Sequence, residues 1–208
     1  MDSAILFDLD NTLIDRDGAF ADFVNDSFPG DRQSVLELMR LDSSGFGDRS
    51  QLFARWLQLS GEVLDSSRLG QAIAERTRPN AELLRELEEL AKLIKIGIVS
   101  NGSTVNQQAK WLAAGLDKVI PQSRLFISES VGSRKPNAAI FQHACEAMEV
   151  SCETCFFLGD QFDADIVGSR AVGMTSYWVR QPLTGQRLRL ALAELGFNRL
   201  NIQGAERS

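Results

Sequence analysis

The sequence predicts an α/β protein, a doubly wound parallel sheet interrupted early by a block of helices, and three observations carry that prediction. Short apolar runs recur near 4–8, 94–99, 124–127, 155–158 and 175–179. Helical periodicity separates the later runs, near 104–114, 137–148 and 165–172. Strands alternating with helices in this way build a parallel sheet covered on both faces. Between the first and second runs, residues 14–77 lack any convincing strand pattern and carry apolar residues at helical spacing. The expected organisation is a Rossmann-like core formed by 1–13 and 78–208, with 14–77 as an α-helical insert.

The first run, Ala4-Ile5-Leu6-Phe7, leads into Asp8-Leu9-Asp10-Asn11-Thr12. Four apolar residues followed by two carboxylates describe a buried strand that delivers acids to its C-terminal edge. Residues i and i+2 of an extended chain point the same way, so Asp8 and Asp10 leave the strand on one side. Carboxylates this close raise each other's pKa unless a cation stands between them. A divalent metal and an anionic substrate would resolve the repulsion, with one Asp as nucleophile and its neighbour as proton donor. In the insert, Phe20, Phe23 and Val24, then Val35, Leu36, Leu38 and Met39, then Leu52, Phe53, Trp56 and Leu57 recur at helical spacing. Gly45-Phe46-Gly47 and Ser60-Gly61 punctuate them. A helix around 81–93 returns the chain to the core.

The second run, Ile94 to Val99, ends in Ser100-Asn101-Gly102-Ser103 before a helical pattern. A hydroxyl at a strand's edge, with a glycine and a helix start behind it, can hold a phosphate through its OH and exposed backbone N–H groups. Ser103 can also cap that helix, since a cap and an anion site use the same orphan donors. Further on, Lys135 stands just before a helix opening at Pro136 or Asn137, the one obvious cation to balance the acids and a phosphate. The run Cys155-Phe156-Phe157-Leu158 ends in Gly159-Asp160, and Asp165 falls at or near the start of the next helix. A helix start favours an acid such as Asp165 through the macrodipole alone; Asp160 has no such reason. Carboxylates at a strand end suit a hard, oxygen-seeking ion such as Mg²⁺.

Taken in order, Asp8-Leu9-Asp10-Asn11-Thr12-Leu13, Val99-Ser100-Asn101-Gly102, Lys135-Pro136 and Gly159-Asp160 through Asp165-Ile166 resemble the four motifs of the haloacid dehalogenase-like (HAD) superfamily. The insert after the first motif resembles its helical cap. The resemblance implies Asp8 as nucleophile and Mg²⁺ ligand, and Asp10 as general acid/base that lends its backbone carbonyl to the metal. Ser100 and the Asn101 backbone would bind phosphoryl oxygens, with Lys135 neutralising the nucleophile and phosphoryl group together. Thr12, grouped with these, would help hold the turn. Asp160 would ligate Mg²⁺, and Asp165 would complete the acidic shell. Asn137-Ala138 after Lys135-Pro136 departs from the acid and second proline of many relatives, without touching an assigned role.

The implied activity is a Mg²⁺-dependent phosphatase acting on a small phosphate ester, a sugar phosphate or nucleoside monophosphate, through an aspartyl-phosphate. A sugar-phosphate mutase would use the same acids, whereas a haloacid dehalogenase needs no acid at Asp10. A phospho-accepting receiver domain, from a different class, lacks both the DxDxT pattern and a cap of this size. The net charge of −6 over 208 residues argues against a nucleic-acid surface. No apolar stretch suffices for a bilayer, and no signal peptide is visible, so cytoplasm is the expected location. Asp15, Arg16, Asp17, Phe20, Arg49, Arg55 and Trp56 are candidate cap contacts, although aromatics at helical spacing usually form core and arginines are usually solvated. Cys152-Glu153-Thr154-Cys155 is formally CxxC, near Cys145 and His143. It reads as buried packing rather than a zinc or redox site, because Cys155 opens a strand and His143 and Cys145 face different ways on one helix.

Overall fold

A computed structural model describes residues 3–197. Residues 1–2 and 198–208, part of the expected core span, lie outside the described residues. Five parallel strands, β1 (Ala4–Phe7), β2 (Lys95–Ser100), β3 (Leu125–Ile127), β4 (Cys155–Gly159) and β5 (Thr175–Trp178), lie in the order β3-β2-β1-β4-β5. The helices are α1 (Arg16–Ser27), α2 (Arg32–Asp42), α3 (Arg49–Ser60), α4 (Ser66–Arg76), α5 (Ala81–Ala91), α6 (Thr104–Ala113), α7 (Ser128–Val131), α8 (Ala138–Ala147), α9 (Gly168–Arg170) and α10 (Gly185–Glu194).

The sheet is buried on both faces, and the strand sequences alternate accordingly. Ile5 and Phe7 of β1 join Ile96, Ile98, Leu83, Leu87 and Leu188 on one side. Ala4 and Leu6 join Val99, Phe157, Phe141 and Ile140 on the other. A period of two with apolar residues at every position is the mark of a parallel strand between two helical layers. The longer covering helices α5, α6, α8 and α10 are short elements with side-chain-capped starts. Asn80 caps α5 by accepting from the Leu83 N–H, and Leu83, Leu87 and Leu90 then form its buried stripe. Ser103 caps α6 as its sequence suggested.

The chain runs from β1 outward to β2 and β3, then crosses back to β4 on the other side of β1 and on to β5. β1 and β4 therefore flank the point where the winding reverses, and ligands bind beyond such points in open α/β sheets. Phe7 pairs with Ile98 and Leu158, so the loops after β1, β2 and β4 open at one level.

Helices α1 to α4 form the insert, with a core of their own. Trp56 stacks on Phe23 at 4.8 Å, meets Phe28 edge-on at 5.1 Å, and lies with Phe20, Leu38 and Leu52. α4 packs on α1 within the insert and on α6 of the main domain. Asn106 of α6 donates to the Ser66 carbonyl at 3.0 Å. A side chain at Gly70 would lie only 2.1 Å from Asn106, so the close approach of α4 to α6 depends on that glycine.

Two elements differ from the sequence reading. Asp165 does not start a regular helix: it is the fourth residue of a π-helical turn, Phe162–Val167, which runs into α9. Within this stretch the Gln161 N–H donates to the Asp165 carboxylate at 2.9 Å, and π-turns concentrate at functional sites. Helix α10 was not read from the sequence. Its Leu188, Ala191 and Leu192 complete the core against α5.

Candidate active site

The loops after β1, β2 and β4 and the N-terminal end of α8 meet over a cavity of about 630 Å³, roofed by the insert. Asp8 extends β1 by one residue, its N–H donating to the Leu158 carbonyl at 2.9 Å, and its side chain is buried. The chain then turns sharply. The N–H groups of Leu13 and Ile14 both reach the Leu9 carbonyl, and Asn11 adopts φ +57°. Thr12 is fully buried beneath this turn and does not line the cavity; its carbonyl accepts from the Leu183 N–H.

Carboxylate oxygens of Asp8, Asp160 and Asp165 lie within 4.8 Å of one another. Lys135, itself buried, bridges Asp8 at 2.6 Å and Asp165 at 2.7 Å. Asp165 also accepts from the Gln161 N–H at 2.9 Å. A Cβ at position 159 would fall 2.3 Å from Asp165 Oδ2, so Gly159 is what lets this acid reach the strand end. Asn101 has a role its sequence did not reveal. Its side chain accepts from the Lys135 N–H at 2.8 Å and donates to the Lys135 carbonyl at 3.0 Å. The β2 loop thereby fixes the backbone that aims Lys135.

One lysine faces three acids, and the electrostatics show the imbalance. Burial pushes the Asp8 carboxyl well up; Lys135 opposes this, while Asp165, Asp160 and Asp10 add to it. Asp160 is pushed up to about 6, chiefly by burial, with Gln161 opposing and Asp165 adding. Lys135 loses solvation, yet Asp165 and Asp8 hold its pKa above the ordinary value. Three oxygen-donor acids in excess of their cation are a donor set that fits a hard divalent ion such as Mg²⁺.

Asp10 is turned away from this cluster. Lys110 approaches both of its oxygens at 2.5 Å, and Gln107 donates to it at 3.0 Å. Gln107 and Lys110 stand one turn apart on the buried face of α6, and Gln107 also bonds Ser100. Burial pushes Asp10 up, but Lys110, Gln107 and Arg16 together hold it below the usual carboxylate value. Lys110 is lowered by burial, against the pull of Asp10. Sequence reasoning missed both α6 residues and took Lys135 as the one evident cation. The available signal was two polar residues on the same helical face as the buried Trp111.

Of the candidate cap contacts, Arg16 and Arg49 line the cavity, as does Phe46. Arg16 and Arg49 share Asp42, at 2.7 Å and 2.6 Å, which ties α1, α2 and α3 together. Phe20 and Trp56 are insert core and do not face the cavity. Asp15 caps α1 through the Gly18 N–H, Asp17 binds Ser44, and Arg55 pairs with Glu37 at 2.9 Å.

A model of the haloacid dehalogenase-like hydrolases matches residues 3–173. A glyceraldehyde 3-phosphate phosphatase of Pyrococcus abyssi is 27% identical over 199 residues, 86% of this chain and 82% of that protein. A ribulose-1,5-bisphosphate 5-phosphatase of Halopiger xanaduensis is 30% identical over 202 residues, 84% and 83% respectively. Among solved structures, the magnesium-bound putative HAD-hydrolase YfnB of Bacillus subtilis superposes with a TM-score of 0.70 at 21% identity, covering 94% of this chain and 99% of that one. An L-2-haloacid dehalogenase of Xanthobacter autotrophicus gives 0.65 at 24% identity, covering 93% and 83%; at these identities both likenesses are of fold. With the family model spanning most of the chain, and the acids at the strand ends where its motifs lie, this chain belongs to the haloacid dehalogenase-like hydrolase family.

Proposed function

We propose that the chain is a phosphatase that hydrolyses a small phosphorylated metabolite through an aspartyl-phosphate on Asp8, with Mg²⁺ held by Asp8, Asp160 and Asp165 and by the Asp10 carbonyl. The observation that carries this reading is the division of acids at one sheet edge. Three carboxylates lie within 4.8 Å of each other with Lys135 against them. Asp10, two residues from the nucleophile, is held apart against Lys110. When bound, the metal supplies positive charge against the phosphoryl oxygens and relieves the repulsion among the acids.

In the first half-reaction, Asp8 attacks phosphorus in line with the leaving oxygen. The Asp8–phosphorus bond forms as the bond to the alcohol breaks. Lys135 offsets negative charge on nucleophile and phosphoryl group together, while the Ser100 hydroxyl and the Asn101 N–H bind the equatorial oxygens. Because Asp10 rests as a carboxylate, the proton it hands to the leaving oxygen comes from the Lys110 ammonium it touches. In the second half, Asp10 takes a proton from water. The water oxygen bonds to phosphorus, Asp8 leaves, inorganic phosphate is released, and the proton returns to Lys110.

The relatives named for glyceraldehyde 3-phosphate and ribulose 1,5-bisphosphate favour a short sugar phosphate over a nucleoside monophosphate. Arg16, Arg49 and Phe46 of the insert are the groups that would meet its non-phosphoryl end. The test is release of inorganic phosphate from a metabolite panel, with one solvent oxygen entering phosphate per turnover in isotopically labelled water. Asp8→Asn should keep its fold and fall below about a hundredth of wild-type turnover, since an amide attacks phosphorus poorly. Retained activity in that variant would overturn the assignment, and an isomerised sugar phosphate with little phosphate release would point to the mutase instead.

A further inference from the structure

Three sulfurs gather at the end of the sheet opposite the acids. Cys145 lies on the buried face of α8, Cys152 begins the short 3₁₀ turn Cys152–Thr154, and Cys155 opens β4, whose other end delivers Asp160. All three are free thiols. Cys145 Sγ is 2.7 Å from Cys152 Sγ and 3.9 Å from Cys155 Sγ. A disulfide bond is about 2.05 Å long, so Cys145 and Cys152 need to move by less than an ångström to bond, and Cys145 and Cys155 by much more. Exposure separates the three further. Cys145 and Cys155 are buried, whereas Cys152 is half-buried and is the sulfur that a small molecule in solution reaches first. Packing alone, as the sequence suggested for these residues, gives no reason for two of the sulfurs to be this close. His143 takes no part: it packs edge-on against Phe126.

We propose that Cys145 and Cys152 form a thiol-oxidation site that closes an intramolecular disulfide when the protein meets a small disulfide such as oxidised glutathione. Cys152, as thiolate, attacks the small disulfide and releases one small thiol, leaving a mixed disulfide on Cys152. Cys145 then attacks the Cys152 sulfur, and the second small thiol departs. The two protein thiols lose two electrons and two protons, and the oxidant takes them up as two thiols. The bond would staple the end of α8 to the start of β4, away from the cavity and independent of the hydrolytic reaction.

The test uses the full chain, folded, with excess oxidised glutathione at mildly alkaline pH, because burial pushes the Cys152 thiol up. After alkylation in denaturant, cleavage at glutamate places the three cysteines on separate peptides, since Glu146, Glu149 and Glu153 lie between them. The expected product is a Cys145 peptide joined to a Cys152 peptide, with Cys155 alkylated and one of three thiols still titratable. Cys155→Ser should give the same link, and Cys152→Ser should give none and keep both remaining thiols. Three free thiols in the treated wild type, a mixed disulfide that stays on Cys152, a link between two molecules, or a Cys145–Cys155 bond would each overturn the proposal.

Discussion

Lys110 and Gln107 present Asp10 to the cavity, and a buried lysine in contact with both oxygens of one carboxylate fixes its orientation as well as its charge. Lys110→Met removes the proton donor and that orientation and lets burial raise Asp10, so that Asp10 serves poorly as base for water, while the phosphoryl-binding groups stay in place. Turnover should fall by roughly 10²–10⁴, the range of general acid–base effects, with little change in KM. Steady-state kinetics on the best substrate of the panel measures this, and a loss confined to KM would contradict it. Asp160 allows a second expectation. With its folded, metal-free pKa raised to about 6, it is largely protonated below that pH, and a metal that binds the carboxylate must displace the proton. Mg²⁺ affinity should therefore rise with pH through about 6, with net proton release there and less release from this group at higher pH. Calorimetry in buffers of different ionisation enthalpy reads the released protons directly; identical heats in all of them near pH 6 would exclude the linkage.

At the scale of elements, the insert behaves as a small helical unit with one organising aromatic. Trp56 is fully buried between Phe23 and Phe28, and α1 and α3 are held together across it. Trp56→Ala leaves a cavity that short helices cannot close, and should cost about 3–5 kcal/mol of unfolding free energy by denaturant titration. A cost below about 1 kcal/mol would mean that the insert repacks freely. The same helices carry the ion pairs of Arg16 and Arg49 with Asp42, so loss of Trp56 should also raise KM by loosening the cavity roof. Helix α6 belongs to both the core and the site. On its one buried face, Trp111 packs into the core with Leu116 and Ile120, while Gln107 and Lys110 reach Asp10.

At the scale of the molecule, the cavity exists only where the insert rests on the α/β domain, and that contact is set by α4 against α6. Gly70→Val would push a branched side chain into Asn106 and wedge the two helices apart. A displacement on the order of 1 Å between roof and acids can cost about 10²-fold in rate, so kcat/KM for the preferred metabolite should drop by about that factor. The fold should persist, and a small ester that needs no contact with the roof should be hydrolysed with much less loss. Equal losses for both substrates would place the damage in the core instead.

The candidate site residues were legible in the sequence because each ends an apolar run: Asp8 and Asp10 after β1, Ser100 at the end of β2 with Asn101 behind it, Asp160 after β4. A parallel sheet puts all such ends at one edge, so strand pattern and winding order suffice to bring these residues near each other. The helical character of 14–77 was equally plain from its spacing. Pattern alone left other matters open. Phe20 and Trp56 sit at helical spacing whether they face a ligand or each other, and only packing chose their side. Asp165 was placed at or near a helix start, and spacing did not distinguish the π-turn it occupies from a regular first turn. The partners of Asp10 lie 97 and 100 residues along the chain, and the proximity of Cys145 to Cys152 depends on how α8 docks before β4. Periodicity specifies which face of an element is buried. What that face meets is decided by tertiary packing, where side chains distant in sequence first share a dielectric and a charge.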